Sequence, residues 1–161
     1  MTRELKTSGL RTHIGVNEAL TKNYISASIL EEYYSFCFIR KPWDHALSQF
    51  FELKKDERLH SLDLDTFIND GTLERFALSC RSIYSHQGNI LVKHLFQHEK
   101  LQETIGNIFN ELDLPGNPQL PKAKSHLRTD KRPYQELLNL NQKLKIEQFF
   151  SQEIELGKYN F

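Results

Sequence analysis

Residues 36–51 read Phe36-Cys37-Phe38-Ile39-Arg40-Lys41-Pro42-Trp43-Asp44-His45-Ala46-Leu47-Ser48-Gln49-Phe50-Phe51. The run opens with four apolar residues rich in β-formers and stops at Arg40-Lys41-Pro42. Proline cannot continue a central ladder, so residues 36–39 are predicted as a buried strand that ends there. Pro42 suits the first turn of a helix, where its missing N–H costs nothing. Trp43, Leu47, Phe50, Phe51 and Leu53 then follow at helical spacing to about Lys55. The segment is a strand, a tight turn and a helix.

Outward from it, residues 16–32 read as one or two short helices, with Ala19, Leu20, Ile25, Ile29 and Leu30 available for an apolar stripe. Asp63 and Asp65 precede Phe67 and Ile68, the pattern of a short helix with an acidic cap, and residues 73–78 read as another helix. Asn89-Ile90-Leu91-Val92 is predicted as a second buried strand. Residues 99–112 form the clearest amphipathic helix, with Leu101, Ile105, Ile108, Phe109 and Leu112 on one side. A proline-rich, then basic, loop spans 114–132, and residues 134–138 make a short helical turn. A final helix over 142–156 would end at Gly157 as C-cap, with Tyr159 and Phe161 tucked back into the core. Two short strands among several helices predict a helix-rich α/β fold, a small parallel sheet covered by helices, in a single domain over 1–161. A complete sheet of that kind has more than two strands. An incomplete one exposes an edge and an apolar face, which predicts self-association.

The chain has 161 residues, 39% apolar and 26% charged, a globular balance that excludes wholesale disorder, collagen and coiled coil. Lys plus Arg and Asp plus Glu both number 21. That cancellation argues against bulk capture of nucleic acid or an anionic membrane and leaves room for a local basic pocket. Cys37 and Cys80, alone, make neither a disulfide framework nor a zinc site, and no metal is expected. No apolar run reaches the length of a membrane span, and no apolar segment of a secretory signal follows Met1–Lys6, so a cytoplasmic location is the expectation.

An Arg at the carboxyl end of a strand points into the crevice where α/β proteins bind ligands. The following helix offers free N–H groups and a positive dipole end, and Ser48, eight residues after Arg40, adds a hydroxyl. Together they suit a phosphate. On spacing alone the other reading is preferred: a core strand whose Arg40 pairs with a carboxylate such as Asp44.

FCFIRKPWDHALSQFF resembles the FxFVRNPWDRxxSxY signature of the carbohydrate sulfotransferase family, with Phe36, Phe38, Arg40, Pro42, Trp43, Asp44 and Ser48 in register. Lys41 and His45 stand where Asn and Arg are usual. Downstream, residues 89–92 with His98-Glu99-Lys100-Leu101 resemble the family's I-V-D…R-F-E-N-L unit. Gln97 replaces its Arg and Lys93 its Asp. Residues 112–115 resemble L-G-L-P, Lys122-Ala123-Lys124-Ser125 resembles an N-K-S loop, and Phe149, Ile154, Glu155, Gly157, Tyr159 and Phe161 resemble the closing F…D-I-E-L-F-G-Y-x-F. The likeness runs from about Arg11 to Phe161.

What the resemblance implies is a P-loop-like sulfotransferase core. Its activity is transfer of a sulfuryl group from 3′-phosphoadenosine 5′-phosphosulfate to a hydroxyl, in this family on a carbohydrate, without a metal. Arg40 and Ser48 fall on the ligands of the donor's 3′-phosphate. The family's first strand and its 5′-phosphosulfate loop, K-T-[AG]-[GS]-[ST]-[ST], have only Lys6-Thr7-Ser8-Gly9 as a partial counterpart, followed by Leu10 and Arg11. The expectation is therefore a chain N-terminally incomplete relative to the family. A non-catalytic nucleotide-binding or protein-interaction domain of the same fold is the alternative. His13 stands at a distance from Arg40 compatible with the family's general base, and a histidine suits that work near neutral pH. A surface His is the other reading. Lys124, Ser125 and Arg128 are the candidates in the basic loop to close over the nucleotide, against a solvated charge run. His94 and His98, four apart, lack the further ligands of a metal site.

Overall fold

The computed structural model describes residues 14–116, 118–120 and 130–161. These build a helix-rich α/β fold with one two-stranded parallel sheet. In chain order the elements are α1 Val16–Thr21, α2 Ala27–Glu32, β1 Phe36–Ile39, α3 Pro42–Leu53, α4 Leu64–Asn69, α5 Thr72–Ser82, β2 Ser85–His86, β3 Asn89–Ile90, β4 His94–Gln97, α6 Leu101–Glu111, α7 Tyr134–Leu137, α8 Leu140–Phe149 and α9 Ser151–Gly157. Single 3-10 turns, Glu57–Leu59 and His98–Lys100, follow α3 and β4. None of the described helices is long and apolar enough to cross a membrane.

The described residues group into two compact units: those up to Cys37 with Phe76–Leu95, and Phe38–Arg75 with those from Phe96 onward. In the first, the amide of Val16 donates to the carbonyl of Ile83 at 3.1 Å, and Gly15 lies so close that a Cβ there would meet the Ser82 carbonyl oxygen at 2.6 Å. β2 and β3 form an antiparallel hairpin, Ser85 opposite Ile90 and His86 opposite Asn89. Its two turn residues, Gln87 and Gly88, both have positive φ (50° and 81°), as two-residue hairpins of the right-handed twist require.

This hairpin corrects the expectation of a buried strand over Asn89–Val92. Asn89 and Ile90 are exposed and are used up in pairing with β2. The parallel partner of β1 is instead β4, and it starts where the Lys93 amide donates to Ser35 Oγ (3.0 Å) and the His94 amide to the Ser35 carbonyl (3.1 Å). β1 itself is a strand as predicted but is fully buried only at Ile39; Phe36 is 39% exposed. Among the described residues β1 has β4 as its one hydrogen-bonded neighbour, so there is no sheet on its far edge to bury it.

The second unit holds the larger core. α3 begins with Pro42 at its first position and buries Trp43, Ala46, Leu47 and Phe50 on one stripe. That stripe packs chiefly against α8 and also α7; α4, with Phe67 and Ile68 buried, packs on α8 too, and the Phe67 ring lies 5.8 Å from that of Phe50. Trp43 stacks on Tyr134 (centroids 5.8 Å apart, planes 16° apart) and meets the edge of Phe161 at 5.3 Å. The expected helix over 142–156 is two helices. α8 starts earlier, where Asn139 and Gln142 form a reciprocal capping box, and it stops at Phe150, whose φ of −107° and ψ of 23° leave the helical region. That bend keeps Phe150 buried in the core. Gly157 is the last helical residue and not the cap. Lys158 takes the left-handed conformation, and Gly157 must lack a side chain because a Cβ would lie 2.3 Å from the ring of Tyr159.

Candidate functional site

Two residues, Arg40 and Lys41, join β1 to α3. Lys41 is the N-cap (φ −49°, ψ 115°) and its side chain makes no cap bond, so the first turn of α3 is left to the macrodipole and to Asp44. Arg40, Asp44 and Ser48 follow at intervals of four, which sets Asp44 and Ser48 on one face of α3 with Arg40 reaching along it. Arg40 donates from Nε to Asp44 Oδ2 at 3.0 Å and from Nη2 to the same oxygen. The ion pair that spacing allowed is therefore present. Both bonds end on one oxygen, and they use two of the five guanidinium N–H groups. Each of the two side chains is little more than a quarter exposed.

Two histidines lie in the same field. Burial, then the Arg40 cation, then His98, hold His45 down at about 4, against the raising effect of Asp44 and Glu153. His45 is neutral at neutral pH, its ring 6.3 Å from that of Phe150. His98 is also lowered, by partial burial and then by Arg40, with Glu99 and Asp44 opposing.

The backbone around Arg40 is held from two distant places. Glu99 Oε1 accepts the Lys41 amide at 2.8 Å. The Tyr159 hydroxyl lies 2.9 Å from both the Ile39 carbonyl and Glu99 Oε2, its one proton shared between the two acceptors. Burial and the neighbouring Glu99 push the Tyr159 phenol up, so it stays a donor. The tail that carries it is fixed in turn: the Tyr159 amide donates to Ile154 O (3.0 Å), and Gln97 Nε2 donates to Gly157 O (2.7 Å). The reading of the sequence placed Glu99 and Tyr159 in segments that resemble the family, and Tyr159 in the core, but gave neither a role at the site. The available signal was the small–x–aromatic tail Gly157-Lys158-Tyr159.

Of the residues singled out from the sequence, Arg40 is placed here just ahead of the N-cap of α3 and Ser48 in the second turn of that helix. His13, Lys124, Ser125 and Arg128 lie outside the described residues. His94 opens β4, where it stacks on Tyr34 (4.4 Å, 16°), and His98 sits in the following 3-10 turn. No set of three or more His, Cys, Asp or Glu side chains suited to a metal occurs among the described residues. A cleft of about 260 Å³ between α4 and α8 is lined by Asp65, Asn69, Gln142 and Lys145 among others, and one of about 370 Å³ at the tail by Trp43, Lys143, Glu147 and Asn160. Neither includes Arg40 or Ser48. Compared with protein-family models, curated proteins and solved structures, the chain matches none.

Proposed function

We propose that the β1–α3 junction binds the 3′-phosphate of an adenosine nucleotide, and that the chain has a P-loop-like sulfotransferase core. The supporting observation is the arrangement of Arg40. Asp44 holds the guanidinium side-on through a single oxygen, which leaves three N–H donors, the Nη1 pair among them, for an anion. Arg and phosphate form short, charge-assisted, often bidentate bonds. Ser48 adds a hydroxyl on the same face of α3.

The reaction that goes with this core is sulfuryl transfer. A hydroxyl oxygen of the acceptor, a carbohydrate, attacks the sulfur of 3′-phosphoadenosine 5′-phosphosulfate. The bond from sulfur to the bridging phosphate oxygen breaks, and the acceptor proton passes to a base, the role assigned to His13. The products are a sulfate ester and 3′-phosphoadenosine 5′-phosphate. Lys124, Ser125 and Arg128 would close on the nucleotide.

The test is calorimetric titration of the chain with 3′-phosphoadenosine 5′-phosphate, with 5′-AMP and the Arg40→Ala variant as controls. The expected result is a preference for the 3′-phosphorylated nucleotide that disappears in Arg40→Ala. Equal affinity for the two nucleotides, or no binding by the folded chain, refutes the proposal.

A further inference from the structure

We infer that Glu99 and Tyr159 are positioning residues for Arg40, an inference that rests on the phosphate-site reading above. The direction in which a side chain leaves the backbone is set by the φ and ψ of its own residue, and these are fixed by the two peptide groups that flank it. At Arg40 both are pinned by the same pair of side chains. The carbonyl of the peptide before it, that of Ile39, receives Tyr159 Oη; the amide of the peptide after it, that of Lys41, donates to Glu99. Tyr159 and Glu99 are 2.9 Å apart, so the two restraints form one closed bracket across the turn.

Nothing local does this work. Lys41 gives no side-chain cap, and Pro42 has no N–H to donate. The Arg40–Asp44 bonds orient the far end of the side chain and leave the backbone to the bracket. The bracket is itself built on regular structure: Glu99 sits in the 3-10 turn that follows β4, and Tyr159 is seated on Gly157, where any side chain would displace its ring. A guanidinium recognises a phosphate through the geometry of its fork, so a turn free to rock would blunt recognition of the 3′-phosphate while leaving contacts to the rest of the nucleotide in place.

The experiment measures, on the full chain, the affinities for 3′-phosphoadenosine 5′-phosphate and 5′-AMP in the wild type, Arg40→Ala, Glu99→Ala, Glu99→Gln and Tyr159→Phe. It also measures hydrogen exchange at the Lys41 amide. Positioning predicts that the ratio of the two affinities falls about tenfold in Glu99→Ala and in Tyr159→Phe, that 5′-AMP binding holds, and that exchange at Lys41 quickens in Glu99→Ala. Glu99→Gln, which keeps an acceptor for Lys41, recovers part of the ratio. If Glu99→Ala fails to fold, Tyr159→Phe carries the same comparison. A ratio that survives in the variants while Lys41 exchange quickens overturns the positioning role and leaves the phosphate site standing. Equal loss of both nucleotides also overturns it. A wild type with no preference between the nucleotides, its Lys41 amide still protected, overturns the phosphate site and the positioning role with it.

Discussion

His45 makes the second unit acid-sensitive, and the size of the effect follows from its setting. An unfolded chain protonates this imidazole near its ordinary 6.5, whereas in the folded protein burial, Arg40 and His98 hold it down at about 4. Between those values the unfolded state binds a proton that the folded state refuses. Folding stability is thus unaffected above about 6.5, declines as the pH falls through the window, and has lost the full amount below about 4. The full drop corresponds to about 3 kcal/mol, of which about 2 kcal/mol is lost by pH 4.5. Replacing His45 by Gln keeps a good helix former in α3 and removes the titration. Urea unfolding followed by the fluorescence of Trp43, the one tryptophan, at pH 7 and pH 4.5 separates this residue from the carboxylates that titrate alongside it. The wild type should lose about 2 kcal/mol more than His45→Gln on acidification. Equal losses in the two proteins would mean that the imidazole is hydrated in the folded state, and the account of its burial would be wrong.

Two further outcomes bear on the supports of the site. Gly157→Ala places a Cβ 2.3 Å from the Tyr159 ring and should cost about 1–3 kcal/mol, with loss of the contact between Tyr159 and the β1–α3 turn visible as a shift of the Ile39 and Lys41 resonances. Asn139→Ala removes one half of the capping box of α8 and should cost about 1 kcal/mol in urea unfolding, with no change at that turn.

The parts of this fold that could be read from the chain are those encoded over a few residues. An apolar run ended by Pro42 specifies β1 and α3, and Arg40, Asp44 and Ser48 are aligned by helical spacing alone. The second strand misled because Asn89-Ile90-Leu91-Val92 is the stronger apolar run, while β4 begins with His94 and ends with Gln97. What diverts residues 89–90 is a hairpin turn of Gln87 and Gly88, and a Gln at positive φ is not a signal that composition announces. The break at Phe150 lies between Phe149 and Ile154 in a pattern whose apolar residues suit one continuous helix; the decision belongs to the core that Phe150 enters. The bracket on Arg40 joins residues 58, 60 and 120 positions apart, and no local pattern specifies such contacts.

The pairing of Arg40 with Asp44 does not by itself assign Arg40 to structure. An ion pair of this kind, on partly exposed side chains four residues apart, contributes at most about 1 kcal/mol. Its electrostatic consequences are more telling. At His45 and at His98 alike, burial is the first cause of the lowering and the cation of Arg40 the next, with Asp44 and Glu153 opposing at His45 and Glu99 and Asp44 at His98. Both imidazoles therefore sense the charge of Arg40 even though Asp44 is paired with it. Asp44 takes two N–H groups of the guanidinium on one oxygen, and the bracket of Glu99 and Tyr159 holds the backbone of Arg40. An anion bound there would in turn relax both histidines upward, so the NMR titration of His98 and His45 with 3′-phosphoadenosine 5′-phosphate should move their pKa values toward 6.5. An anion bound elsewhere on the chain would leave them where they are.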